Sequence, residues 1–172
     1  VRAPQSTNTR HLGRLLIHGK AYPCALGKTG ITACKREGDG ATPRARMAVL
    51  AGRYRADRVK RTIGNKSFWQ RIEPEDGWCD APFTPAYNRP VNLPHRASHE
   101  VMTRKDHLYD RLIILDWNIR NRSQGRGSAI FFHQARTIDG VLQGTEGCIA
   151  LAPDIFEKLA PQLARLATIR VL

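Results

Sequence analysis

The sequence predicts a mainly β protein, a mixed β-sandwich with one or two short helices. Short apolar stretches bounded by glycine and proline outnumber stretches of helical period. Two of them, Leu112-Ile113-Ile114-Leu115 and Ala129-Ile130-Phe131-Phe132, are apolar at every position, as strands buried on both faces are. Helical spacing appears once, at Ile155, Leu159, Leu163 and Leu166 after Pro153.

Taken in order, residues 1–11 (VRAPQSTNTRH) are polar and aperiodic. Residues 1–13 are therefore expected as a loose N-terminal arm and 14–172 as one domain. The opening Val1-Arg2-Ala3-Pro4 has neither Met nor an apolar leader, which fits a removed targeting segment and a trimmed chain equally. Leu15 to His18 and Ala21 to Leu26 read as short strands broken by Gly19 and Gly27. Glu37 to Pro43 is dense in turn residues. Arg46 to Tyr54 reads as a strand with Met47, Val49 and Ala51 on one face. Residues 73–98 hold five prolines together with Trp78 and Tyr87, and are expected to form a long ordered loop. Pro153 suits a helix start, Pro161 is expected to break or restart that helix, and Thr168 to Leu172 returns as a last strand.

With 172 residues, 41% hydrophobic and 25% charged, the chain suits a single domain with a real core and does not have the composition of a disordered segment. Its longest aliphatic runs fall far short of the ~20 residues a spanning helix needs. Lys and Arg number 28 against 15 Asp and Glu, a formal charge of +13 spread from Arg2 to Arg170. Such a charge favours an anionic partner without choosing among nucleic acid, an acidic membrane surface and a polyanionic polymer.

The cysteines are Cys24, Cys34, Cys79 and Cys148, with no CxxC and no zinc-site spacing. Cys24 and Cys34 flank Gly27-Lys28-Thr29-Gly30, which is able to turn a hairpin; a disulfide and two buried thiols both fit. The strongest local feature is Gly144-Thr145-Glu146-Gly147-Cys148-Ile149-Ala150. Glycine before cysteine lets the backbone turn sharply, so that successive N–H groups point toward a bound carbonyl oxygen. Fifteen positions upstream, His133 ends an apolar segment, where a rigid strand holds an imidazole in place. A thiol and an imidazole held close exchange a proton, the basis of a cysteine nucleophile; a buried Cys in a turn and a satisfied core His are the plainer alternative.

These residues resemble the L,D-transpeptidase catalytic domain (YkuD-type). The family's pattern is a His at a strand end, a loop, then Ser or Thr, any residue, Gly, Cys and an aliphatic residue. Here it is His133, the loop 134–144, and Thr145-Glu146-Gly147-Cys148-Ile149. Lys35-Arg36-Glu37-Gly38-Asp39-Gly40-Ala41-Thr42-Pro43 is similar to the family's early glycine-rich Thr-Pro turn. Gly125-Arg126-Gly127-Ser128 through His133 resembles the strand leading into its histidine. The likeness runs from about residue 14 to 172 and implies a mixed β-sandwich of that type. It departs in Glu146, where the family has His; in Ala150, where Arg or Asn is common; in Arg44-Ala45 after the Thr-Pro; and in a shorter loop after His133. Glu146 is expected to set a negative charge beside the thiol.

By resemblance, Cys148 forms a thioester with a peptidoglycan tetrapeptide stem, and His133 moves the protons. Backbone groups at Gly147 and Cys148 hold the oxyanion, and the carbonyl of Gln134 steadies the histidine. Thr145, Glu146, Arg126, Trp78 and Tyr87 are the expected substrate-binding residues. The implied activity is an L,D-transpeptidase forming cross-links or exchanging the terminal D-amino acid, in the bacterial cell envelope and periplasmic, with any export signal outside this chain. A carboxypeptidase or endopeptidase would use the same pair. The resemblance implies no metal or organic cofactor, and no nucleic acid is expected as partner. A different class, a non-catalytic basic module binding nucleic acid or cell-wall polymer, accounts for the charge but leaves the paired motifs unused. His95 and His99 read as a polar surface, and Gly125-Arg126-Gly127 as a basic turn between buried strands.

Overall fold

The computed structural model describes residues 9–60 and 67–172. In chain order the strands are β1 (Leu12–Ile17), β2 (Lys20–Ala25), β3 (Gly30–Thr32), β4 (Ala41–Pro43) and β5 (Arg46–Tyr54). They continue with β6 (Trp69–Arg71), β7 (Asp76–Cys79), β8 (Arg89–Asn92), β9 (His99–Val101) and β10 (Arg111–Leu115). The last are β11 (Phe131–Gln134), β12 (Thr137–Ile138), β13 (Val141–Leu142), β14 (Ile149–Leu151) and β15 (Thr168–Arg170). A 3₁₀ turn covers His107–Tyr109, and α1 covers Pro153–Leu163. No helix among the described residues is long and apolar enough to cross a membrane.

The main sheet runs β1-β2-β14-β11-β10-β5-β15, with β6 also pairing β5. Its central strands are buried on both faces, which is why β10 reads as an apolar run; β11 begins at Phe131, two residues into the expected apolar stretch Ala129–Phe132, and carries the buried polar residues His133 and Gln134. On one face Ile113, Leu115, Phe132, Ile149 and Leu151 pack with Phe156, Leu159 and Leu163 of α1. On the other, Leu112, Ile114, Phe131 and Cys148 pack with Trp78, Met102 and Tyr109. Among the described residues the fold is thus mainly β with one α-helix. The cysteine motif lies on the face turned away from that helix.

Five expectations change. The stretch 73–98 is not a long loop: β7 and β8 lie within it, and with β9 they form a small sheet in the order β8-β7-β9. Pro90 is accommodated because β8 is an edge strand, where a missing N–H costs little. In β5, Ala51 does not share a face with Met47. A bulge at Leu50 pairs Ile114 with Ala51 but Leu115 with Val49, so Gly52 and Tyr54 take over the buried side. Pro161 stays inside α1, because it falls in the last turn and forfeits one hydrogen bond just before the helix ends. The turn Gly27–Gly30 leads to β3, which pairs with β4 and not with β2, so Cys24 is buried in the core, Cys34 is exposed and all four cysteines are free. Of the expected N-terminal arm, residues 1–8 lie outside the described residues, and β1 begins at Leu12, inside its expected boundary.

Candidate active site

Strands β11 and β14 are parallel neighbours, with Phe132 opposite Ile149 and His133 opposite Ala150. Alternation along each strand puts Phe131 and His133 on one face, and Cys148 and Ala150 on that same face. One step back in register, Cys148 meets Phe131, whose N–H donates to Sγ at 3.3 Å. The thiol in turn donates to the Ala129 carbonyl at 3.2 Å. His133 and Cys148 open onto one cleft of about 280 Å³, with Thr145, Glu146, Glu100 and Arg104 in its walls.

His133 is fixed from two sides. Its Nδ1 lies 2.6 Å from the Gln134 carbonyl, and an acceptor there assigns the proton to Nδ1, leaving Nε2 as the basic nitrogen. The Tyr109 ring meets the imidazole edge to face at 5.4 Å, and the Tyr109 hydroxyl donates to Glu100. Arg104 lies over that same tyrosine ring, 5.0 Å from its centroid, and donates twice to Asp106.

The turn carrying the thiol is built from both glycine-rich stretches. Thr145 Oγ1 donates to the Cys148 carbonyl at 2.7 Å and accepts from Gly147 N–H at 3.1 Å. Thr42, fully buried in the Thr-Pro turn, donates to the same carbonyl at 3.4 Å and accepts from Gly27 N–H at 2.8 Å. Gly147 has φ +143°, and a Cβ there would lie 2.9 Å from the Ala41 carbonyl oxygen, so glycine is required on both counts.

Burial dominates the electrostatics. It pushes the Cys148 thiol up to about 12, with the Glu100 charge adding and the Phe131 N–H, Lys35 and Arg104 opposing. It pulls the His133 imidazole down to about 4, against the hydrogen bond to Gln134. The resting pair near neutrality is therefore thiol and neutral imidazole.

The other expected residues separate. Thr145 and Glu146 line the cleft. Glu146 does not burden the thiol as expected: its side chain is 73% exposed and its carboxylate pairs with Lys28 at 2.6 Å. The carboxylate that acts on Cys148 is Glu100. Trp78 and Tyr87 are core residues and do not line this cleft; Trp78 packs on Phe131 and donates to Asn88, while Tyr87 is fully buried and donates to Glu37. Arg126 lines a second cleft with Lys35 and Trp117. Ala150 is fully buried and packs with Ala25 and Ala135. His95 and His99 form an edge-to-face ring pair, and no group of three or more metal-binding side chains occurs among the described residues. Glu100, Arg104 and Tyr109 escaped the sequence reading as site residues. Thr42 and Lys35 lay in a stretch singled out there, without a role.

Residues 8–171 match the L,D-transpeptidase catalytic domain, YkuD. The chain belongs to that family. Comparison with curated proteins and with solved structures gave no match. Membership makes this an L,D-transpeptidase-type catalytic domain, of a family that acts on peptidoglycan.

Proposed function

We propose that the protein is a cysteine-dependent L,D-transpeptidase acting on peptidoglycan tetrapeptide stems in the periplasm. The observation that carries this reading is the placement of Cys148 and His133 on one face of adjacent strands, with the histidine tautomer set by Gln134. A neutral pair means that the proton leaves sulfur as the sulfur attacks, and no standing thiolate is needed.

In the first step Cys148 Sγ bonds to the carbonyl carbon before the terminal D-amino acid, and its proton passes to His133 Nε2. The C–N bond then breaks, and the departing amine takes that proton. In the second step an acceptor amine attacks the thioester carbonyl and forms a new C–N bond; the C–S bond breaks, and the amine's proton goes to His133 and then to the departing sulfur. The Cys148 N–H is the oxyanion donor in this scheme, since Gly147 N–H is engaged by Thr145 Oγ1. Thr145 and Glu146 contact the substrate, and the net charge of +13 gathers carboxylate-rich stems at the surface.

Incubation with disaccharide-tetrapeptide and mass analysis of products tests the proposal. Cross-linked dimers, absent with Cys148→Ala, are expected. Shortened stems alone would replace transfer by carboxypeptidase hydrolysis, and split dimers by endopeptidase hydrolysis. No thioester adduct with a carbapenem on the intact protein would remove the nucleophile altogether.

A further inference from the structure

We infer that Lys35 is a positioning residue for the Cys148 turn, a buried cation that favours negative charge on the sulfur and on the oxygen of the carbonyl it attacks. The lysine side chain is 2% exposed, and its Nζ lies 2.5 Å from Asp39 Oδ1. Asp39 is itself pinned, accepting from Arg36 N–H at 2.7 Å and from Ala41 N–H at 2.9 Å. Those bonds, with the lysine, bring its carboxyl below the usual range even though burial pulls the other way.

Two glycines shape the channel that the lysine fills. A Cβ at Gly127 would sit 2.9 Å from Lys35 Cγ and Cε, and one at Gly147 would sit 3.3 Å from Nζ. The aliphatic stem therefore crosses Gly127, and the ammonium ends against the residue before the nucleophile. Removing a lysine from water is costly, and a buried ion pair is weak support for stability compared with an apolar filling of the same volume. An electrostatic task accounts for the cation where packing alone does not. The charges and titratable groups facing Cys148 are Glu100, Arg104, Lys35, His133 and Tyr109. Lys35 is the cation on the turn side, and it offsets Glu100.

This inference rests on reading Cys148 as the nucleophile, but its test follows thiol chemistry alone. Failure to process peptidoglycan would therefore leave it standing. The probe is iodoacetamide on the intact protein in a Cys34→Ser background, with the rate at Cys148 followed by peptide mass from pH 6.5 to 9.5. Lys35→Met should slow alkylation by about three- to tenfold at each pH, and Asp39→Asn, which leaves the cation without its counter-charge, should speed it. Opposite signs are the signature, since a merely structural loss moves both variants the same way. Rates unchanged in both variants, or slowed in both, overturn the assignment. If Lys35→Met does not fold, an unchanged or slower rate in Asp39→Asn overturns it alone.

Discussion

The carboxylate of Glu146, two residues before the nucleophile, turns back to the ammonium of Lys28 at 2.6 Å and leaves the thiol to the influence of Glu100. Both partners of the pair are more than half exposed. Exposed pairs contribute about 0–1 kcal/mol. Glu146→Gln should therefore shift stability by no more than about 1 kcal/mol and, in a Cys34→Ser background, leave the rate of iodoacetamide alkylation at Cys148 within about threefold. Thermal melts and peptide-mass time courses check both, and a tenfold change in alkylation would return Glu146 to the thiol's surroundings.

The buried histidine makes stability depend on pH with a definite sign. His133 falls from an ordinary 6.5 to about 4 in the folded protein, so the unfolded chain binds its proton more readily. Stability from this group is complete above pH 6.5, declines as pH falls, and is down by up to about 3 kcal/mol near pH 4. Urea titrations at several pH values, with His133→Gln as the reference that lacks this contribution, isolate it from the carboxylates. The acid limb of acylation should likewise fall near pH 4 to 5; a limb at 6.5 would mean a solvated imidazole.

How much of this was readable beforehand follows from where each signal is stored. Cys148 and His133 are marked by local chemistry, glycine beside cysteine and an imidazole closing an apolar run, and β10 shows its two-sided burial in Arg111–Leu115 itself. Of the period Ile155, Leu159, Leu163 and Leu166, Leu159 and Leu163 are buried on α1, whereas Phe156 is buried in place of the partly buried Ile155 and Leu166 falls past the helix end. Lys35 is different, because its burial is created by Gly127 and Gly147, which lie far along the chain. The role of Tyr109 depends on a ring contact with His133 that no period encodes. Trp78 and Tyr87 sit among prolines, where strands of three or four residues give too little alternation to tell inward from outward.

Thiol accessibility separates the four cysteines. Cys24 and Cys79 are fully buried, Cys148 is nearly so, and Cys34 is exposed. Burial also pushes the Cys24 thiol up to about 12. Ellman's reagent under native conditions should label Cys34 first, with Cys24 and Cys79 appearing only on denaturation. Cys34→Ser should remove the fast phase. Fewer than four thiols in denaturant without reductant would indicate a disulfide, contrary to the free cysteines of this structure.

Thr42 ties the early turn to the nucleophile, since its hydroxyl accepts from Gly27 N–H and donates to the Cys148 carbonyl. Thr42→Val keeps the shape and removes both bonds, leaving the Gly27 N–H buried without its partner. Stranding one buried donor costs about 1–3 kcal/mol. The Cys148 carbonyl keeps Thr145 Oγ1, so the turn should persist but loosen. Acylation should then fall by about ten- to a hundredfold, as a nucleophile that is no longer held in line loses rate more steeply than stability. Thr42→Ser, which restores the hydroxyl, should recover most of both. Chemical denaturation read beside carbapenem acylation for the two variants decides it: equal loss in valine and serine would trace the effect to packing of the methyl group and not to the hydrogen bonds.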